Sequence, residues 1–115
     1  MLSKSTFAIV ILVGIGALAI GANSRSASSA MVRTPAELYS RNCASCHGRD
    51  GGAKTLKARL NHARKLNDPE WQDRVSDERI FNSIMNGKGK MPSYSRKLSE
   101  QEINSLVSYV RGLKR

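Results

Sequence analysis

The sequence contains only two cysteines in 115 residues, and they lie three positions apart at Cys43 and Cys46. A pair this close cannot tie distant parts of the chain together, which excludes a disulfide framework. No internal repeat occurs, and no stretch alternates apolar and polar residues as a half-buried strand would. The pattern therefore predicts a small helical domain, and at this size it indicates that a bound group supplies part of the core.

Acidic residues are also scarce, and the chain has a formal charge of +10 at pH 7. Such a surface attracts acidic proteins, anionic lipid or nucleic acid. Nucleic acid is disfavoured because the sequence has no reading motif and no basic strip interleaved with aromatic residues. Residues 54–65 form the one local basic run, with five basic residues and no acidic one, a pattern that is also typical of a solvated face.

The first thirty residues differ in composition from the rest. Lys4 precedes an apolar segment over residues 7–22, and residues 28–30 are small, as at a signal-peptidase site. This order is typical of a secretory signal peptide. The segment is slightly shorter than the ~20 residues of a spanning helix, so an uncleaved membrane anchor is the alternative. Either way we expect residues 31–115 to be exported, to the periplasm or the outer face of the cytoplasmic membrane.

Two capping boxes predict the helices at either end of the domain. Thr34-Pro35-Ala36-Glu37 opens the first, which runs towards Cys43, and Ser99-Glu100-Gln101-Glu102 opens the last. In each box the first hydroxyl and the glutamate satisfy backbone N–H groups that have no partner inside the helix. Proline suits the first helical position.

A third helix is predicted between them, from Ser76 to Asn86-Gly87, with an apolar stripe at helical spacing. Residues 48–75 hold only scattered apolar residues and are predicted to form a long polar connection. Loops that long in so small a domain usually wrap something. The predicted fold class is therefore all-α, with long loops.

His47 directly follows Cys46 and completes a Cys-x-x-Cys-His motif. This motif is the sequence signature of c-type haem attachment. Two thiols about one helical turn apart can each add to one haem vinyl group, and the adjacent histidine can then bind the iron as the proximal ligand. Cys43, Cys46 and His47 are thus the predicted attachment residues and first ligand of one haem c.

Three other chemistries also use a close cysteine pair. A structural zinc site needs four ligands, and His62 is the only obvious fourth. A thioredoxin-like motif needs a βαβ context, which the sequence does not predict. A simple disulfide is possible in an exported protein, but it leaves His47 unexplained.

The stretch NGKGKMPSY, residues 86–94, has the composition of a loop that presents one side chain. Gly87 and Gly89 allow tight turns, and Pro92 stiffens the chain after Met91. A methionine thioether binds haem iron and raises its potential, so Met91 is the predicted distal ligand. The rival ligand is His62, and an open distal position is the third alternative.

The stretches CASCHGRDGG, SDERIFNSIMNGKGKMPSY and LSEQEINSLVSYVRGL resemble the small class I cytochromes c of bacteria, and the cytochrome c6 and c-551/c-552 types are similar. The resemblance covers nearly all of the chain after the N-terminal segment. It implies the cytochrome c fold, in which the terminal helices cross and loops enclose one haem. It implies thioether bonds at Cys43 and Cys46, with His47 as the proximal ligand and Met91 as the distal one.

The resemblance also implies that Tyr39 and Tyr109 lie near the helix crossing. The chain departs from the family at Pro35, eight residues before the first cysteine, where many members have a glycine at this crossing. That departure leaves the ligand positions unchanged.

Two protein ligands leave the iron without a free position for a substrate. We therefore expect a monomeric one-electron carrier and no enzyme, moving electrons between respiratory or photosynthetic redox proteins. Lys88 and Lys90 lie just before Met91, so partners with acidic docking surfaces are expected. The alternatives are a membrane-tethered subunit of a larger oxidoreductase and a haem enzyme or gas sensor with an open distal site.

Overall fold

The computed structural model describes residues 32–115, so the apolar segment 7–22 and the choice between signal peptide and anchor lie outside the described residues. The predicted all-α class is confirmed, since this part of the chain is helical apart from one isolated β-bridge. Within residues 32–115 no helix is long and apolar enough to cross a membrane. The helices are α1 (Pro35–Asn42), α2 (Ala44–His47), α3 (Leu56–Asn61), α4 (Pro69–Arg74), α5 (Asp77–Asn86) and α6 (Glu100–Arg111).

Both predicted capping boxes are present. The Glu37 backbone N–H donates to the Thr34 hydroxyl at 3.2 Å, and the Thr34 N–H donates to the Glu37 carboxylate at 2.8 Å. The same pair of bonds joins Ser99 and Glu102, at 3.2 and 2.9 Å. The predicted boundaries of α5 are confirmed as well, with a serine N-cap and a glycine C-cap.

Helices α1 and α6 pack against each other and form the centre of the core. Leu38 and Tyr39 of α1 and Ile103 and Leu106 of α6 are at most 1% exposed. Burial of a large apolar side chain stabilises a fold by about 1.5–3 kcal/mol, so this contact is a principal source of stability. Pro35 is exposed in the first turn of α1, so the residue that departs from the family pattern does not itself lie among the buried residues of this contact.

Tyr39 and Tyr109 lie together at this contact, as the resemblance implies. Their ring centroids are 4.9 Å apart, with the planes tilted by 37°. The buried Tyr39 hydroxyl donates to the carbonyl of Gly48 at 2.7 Å. Tyr39 therefore connects the helix contact to the chain just after the Cys-x-x-Cys-His motif.

The predicted polar connection over residues 48–75 is wrong in part, because it contains the short helices α3 and α4. Thr55 caps α3 by accepting from the Ala58 N–H at 2.9 Å, and Asp68 caps α4 by accepting from the Glu70 N–H at 3.1 Å. These polar caps satisfy helix-end donors that water would otherwise hydrate. The segment is therefore more ordered than its composition indicates.

A buried glutamine fastens this segment to α6. Gln72 is 4% exposed, and its amide nitrogen donates to the carbonyls of Leu66 and Val110 at 2.9 and 2.7 Å. From α6, the Arg111 guanidinium donates to the carbonyls of Gln72 and Val75, each at 2.6 Å. These bonds hold α4 in place as one wall of the cavity described next.

Candidate cofactor site

One cavity of about 760 Å³ lies between α1, α2, α4, α5 and the loop that follows α5. This volume falls within the range of small-molecule and cofactor sites, about 300–1,000 Å³. Cys43, Cys46, His47 and Met91 all line it, and so does His62. The structure thus brings together every residue that the sequence singled out as a possible attachment point or ligand.

The Cys-x-x-Cys-His motif spans the junction of α1 and α2. The Cys43 N–H still donates to Tyr39 of α1 at 2.8 Å, while the Cys43 carbonyl accepts from the N–H groups of Cys46 and His47 at 3.2 and 2.9 Å. These bonds close one helical turn, so both thiols and the imidazole project from a single turn. Gly48 then ends α2 with a φ of +80°, a backbone conformation that favours glycine.

The environment of the cysteines argues against a redox role. Both are free thiols, and burial raises the pKa of Cys43 to about 11, with the nearby Cys46 adding to the shift. Redox-active cysteines have lowered pKa values instead. Residues 32–115 also contain no group of three or more His, Cys, Asp or Glu side chains placed to hold a metal ion.

The imidazole of His47 is fixed by a backbone carbonyl. Its Nδ1 lies 2.8 Å from the carbonyl oxygen of Arg64, which can only accept, so Nδ1 carries the proton. Burial lowers the pKa of His47, and the bond to Arg64 offsets part of that shift. The ring is therefore neutral at pH 7, with the Nε2 lone pair available to a metal.

Sequence reasoning missed the role of Arg64. Its contribution is a main-chain oxygen, and any residue type can supply one. No side-chain pattern in the sequence could have indicated it.

Met91 lies in a tight turn after α5. Lys88 and Met91 exchange backbone hydrogen bonds of 3.0 and 2.9 Å, which form the isolated β-bridge. Gly87 precedes the turn with a φ of +77°, and a Cβ there would lie 2.7 Å from the carbonyl oxygen of Met91. Gly87 is therefore required by both its backbone angle and its close approach to the turn.

The turn is anchored at both ends. Tyr94 donates from its N–H to the carbonyl of Ile84 at 3.0 Å, and the Lys90 ammonium donates to the carbonyl of Leu60 at 2.7 Å. Met91 itself is half-buried against the hydrophobic core. His62, the rival ligand, is exposed and ends α3 with a φ of +52°.

The cavity combines an apolar interior with a basic lining. No acidic residue lines it, and five lysines and arginines do. None of the five takes part in an ion pair within residues 32–115, whose ion pairs are Arg33–Glu102, Arg111–Asp77 and Lys114–Asp73. The basic lining residues are Arg64, Arg74, Arg79, Lys88 and Lys90.

Sequence reasoning also missed Arg74 and Arg79. In a chain with 19 lysines and arginines, nothing distinguishes these two from solvated surface residues. Their place in the cavity wall follows from the packing of α4 and α5, which their own sequence positions do not reveal.

Comparison with known proteins agrees with this architecture. The family model described as cytochrome C oxidase, cbb3-type, subunit III matches residues 30–110. Cytochrome c6 of Nostoc sp. is 36% identical over 109 residues, covering 95% of this chain and 93% of that protein. The cbb3-type oxidase subunit CcoP of Azospirillum brasilense is 30% identical over 92 residues, covering 79% of this chain but 31% of that subunit.

A solved structure gives the same result at the level of the fold. The KustC0563 c-type cytochrome is 40% identical, and it superposes with a TM-score of 0.66 over 72% of this chain and all of its own. This protein is thus similar to the chain in sequence as well as in fold. The chain therefore belongs to the class I c-type cytochromes.

Proposed function

We propose that the protein is a monomeric one-electron carrier, and no enzyme, that holds a single haem attached through Cys43 and Cys46. His47 and Met91 are its axial ligands in this proposal. The observation that carries it is that all four side chains line the same cavity. The named relatives, cytochrome c6 among them, support a haem electron carrier at the level of the family.

The cavity suits haem in shape and in polarity. Its apolar interior, formed by residues such as Ile80 and Ile84, matches the flat apolar ring. Haem also has two carboxylates, and Arg74, Arg79 and Lys88 line the cavity without ion-pair partners among the described residues. These three cations are the candidates to bind the carboxylates.

The protein's own groups define what the site can do. His47 offers a neutral Nε2, because its Nδ1 proton is held by the Arg64 carbonyl. Met91 offers a soft thioether, a ligand that favours the reduced iron and raises its potential. When bound, haem supplies an iron that gains and loses one electron. With both axial positions filled from the chain, no position remains for a substrate.

We place this carrier outside the cytoplasm. The basis is the sequence of residues 1–30, read as a signal peptide or an N-terminal anchor, with residues 31–115 as the haem domain. Its partners in this proposal are redox proteins with acidic docking surfaces, because the chain carries a formal charge of +10 at pH 7.

A second candidate function is a haem subunit of a membrane-bound oxidase. The match to the cbb3-type subunit III family and the likeness to CcoP favour it. Residues 7–22 would then be kept as a tether. Recovery of the uncleaved chain in a stable complex with an oxidase would support this second candidate over a free carrier.

The intact mass of the purified protein, combined with acid–organic extraction, tests the principal proposal. We expect one haem added to the chain, and we expect the colour to remain with the protein through extraction, because thioether bonds are covalent. Cys46→Ala should leave at most one thioether and reduce the amount of matured protein. Ser45→Ala, in the exposed position between the cysteines, is the matched control. A colourless protein after extraction would refute covalent attachment.

Carbon monoxide separates the carrier from the third alternative. A reduced protein with both axial positions filled should bind this gas poorly. Tight binding by the native protein would instead support an enzyme or sensor with an open distal site. The mass measurement also reports whether the first thirty residues have been removed.

A further inference from the structure

Gln72 is a buried polar side chain that joins three segments of the fold. It is 4% exposed, and the two N–H bonds of its amide nitrogen donate to the carbonyls of Leu66 and Val110 at 2.9 and 2.7 Å. Its Oε1 accepts from the Arg111 guanidinium at 3.1 Å. The amide therefore has a single orientation, because a flip would turn Oε1 towards two carbonyl oxygens.

Leu66 belongs to the segment that orients the predicted proximal histidine. Two residues earlier, the Arg64 carbonyl oxygen lies 2.8 Å from Nδ1 of His47. The Leu66 N–H donates to the carbonyl of Gly51 at 2.7 Å, while Gln72 supplies the only donor to the Leu66 carbonyl among residues 32–115. Gln72 therefore holds this segment to α6 at a point two residues from the bond to His47.

Arg111 fixes Gln72 in turn. Its guanidinium donates to the main-chain carbonyl of Gln72 as well as to Oε1, and it donates to the carbonyl of Val75 at 2.6 Å. Asp77 balances its charge, also at 2.6 Å. A planar guanidinium can make several such bonds with fixed geometry, whereas an ammonium lacks this fork. The last turn of α6 thus supports Gln72 through both Val110 and Arg111.

We propose that Gln72 is a positioning residue for the proximal ligand, because it keeps the Arg64 carbonyl in its bond to the Nδ1 proton of His47. This inference rests on the proposed function, in which His47 binds the haem iron. A hydrogen bond to the ring N–H of a ligating histidine fixes the ring and makes its other nitrogen a stronger electron donor. A stronger donor stabilises ferric iron, so Gln72 lowers the reduction potential.

The direction of the change in potential separates this role from a merely structural one. If the loss of Gln72 weakens the bond to His47, the ferric state loses stabilisation and the potential rises. If the loss of Gln72 only opens the cavity to water, the potential falls, because water stabilises the more highly charged ferric iron.

Gln72→Met tests the proposal, because methionine has a similar length and lacks both donors. We expect the Nδ1 proton of His47, followed by NMR of the reduced ¹⁵N-labelled holo-protein, to exchange with solvent about fivefold faster. At the midpoint potential of the native protein, the ratio of reduced to oxidised variant should be about threefold higher. Both effects follow from a weaker bond between Nδ1 and the Arg64 carbonyl.

Three further variants support this test. Arg111→Lys keeps a positive charge beside Asp77 but loses the fork to Gln72, so smaller changes of the same sign are expected. Gln101→Met is the matched control, at an exposed position of α6 where the side chain makes no hydrogen bond within residues 32–115. Ile103→Val lowers stability in the contact between α1 and α6 without removing a bond of Gln72, so it should leave the potential unchanged.

An unchanged or lower potential in Gln72→Met, or exchange of the His47 Nδ1 proton at the native rate, would overturn the positioning role. If Gln72→Met does not fold, the same results in Arg111→Lys decide against it.

Failure of the proposed function shows in the native protein instead. An intact mass without one haem, or a His47 ring without the NMR shifts of a haem ligand, would refute the proposed function and this inference with it. A native protein with haem and a ligating His47, combined with Gln72 variants of native potential, refutes the positioning role alone.

Discussion

The ammonium of Lys90 donates a hydrogen bond of 2.7 Å to the backbone carbonyl of Leu60. Leu60 lies in the last turn of α3, where carbonyls have no partner inside the helix and where the helix dipole favours a cation. Lys90 directly precedes Met91, so the bond joins the turn that presents Met91 to a helix thirty residues earlier in the chain. The position of Met91 therefore depends on α3 as well as on α5.

Removal of this bond should loosen the Met91 turn. Lys90→Met keeps a side chain of similar length but deletes the donor, and a net hydrogen bond contributes about 1 kcal/mol. We expect a lower thermal midpoint for loss of the near-infrared band of His/Met-ligated ferric haem. Lys65→Met is the control, because Lys65 is exposed, does not line the cavity, and makes no side-chain hydrogen bond or ion pair within residues 32–115. Equal shifts in both variants would show that the backbone bonds of the turn suffice.

Gly87 and Gly89 provide a matched pair of substitutions in the same turn. Gly87→Ala places a Cβ 2.7 Å from the Met91 carbonyl oxygen at a φ of +77° and ψ of 166°, a region that is essentially restricted to glycine. A Cβ at Gly89, which has a φ of +57°, meets no atom within 4 Å. Gly89→Ala should therefore destabilise the fold only by the ~1–2 kcal/mol that a non-glycine residue costs in the left-handed conformation. In denaturant titrations of the holo-protein, Gly87→Ala should therefore be the more damaging. Equal losses would contradict the steric argument.

The distal ligand is tested by Met91→Ala. We expect loss of the near-infrared band, binding of carbon monoxide and a lower reduction potential, because the soft thioether that favours reduced iron is absent. Met85→Leu is the control, since Met85 packs against the core and the exchange nearly conserves volume. If the native protein lacks this band, and His62→Ala opens the iron to carbon monoxide while Met91→Ala does not, the distal ligand is His62.

The two capping boxes should make the stability of the fold depend on pH in the acidic range. Backbone hydrogen bonds from Thr34 and Ser99 lower the pKa of Glu37 and Glu102 below the ordinary 4.5. The unfolded chain then binds more protons than the folded one, so the stabilisation is complete above pH 4.5 and is lost as pH falls through the folded pKa values.

Thermal midpoints measured against pH test this expectation. Glu37→Gln combined with Glu102→Gln should flatten the decline in Tm below pH 4.5. Glu100→Gln, in the same turn of α6 but outside the capping box, should leave the decline unchanged. An identical decline in the double variant would show that other groups cause it.

The sequence predicted the helices that have both a cap and an apolar stripe. Helices α1, α5 and α6 satisfied those conditions, and their starts at Thr34, Ser76 and Ser99 are confirmed. Helices α3 and α4 have six residues each, too few for a periodic pattern to stand out. Asp68-Pro69 is nevertheless the same cap-and-proline signal as Thr34-Pro35, and it could have indicated α4.

For the candidate site, the sequence predicted side chains that the structure brings to one cavity, but it did not indicate what holds them there. Cys43, Cys46 and His47 are fixed relative to one another by a single turn, so spacing alone placed them together. The Arg64 carbonyl and the Lys90–Leu60 bond depend on the path of the backbone between distant segments. Such contacts have no signature in residue type, and they become visible only in the folded chain.

The contact between α1 and α6 also has a consequence for how the chain folds. Arg33, just before α1, and Glu102 in α6 form an ion pair across 69 positions of sequence. Closing a loop that long costs chain entropy before the contact contributes any stabilisation. Folds with such contacts form more slowly than folds whose contacts join residues close in sequence. Leu38 and Tyr39 can be buried only once α6, which follows α1 in the chain, has packed on α1. We therefore expect the cysteine-bearing turn beside them to be more accessible before that contact forms.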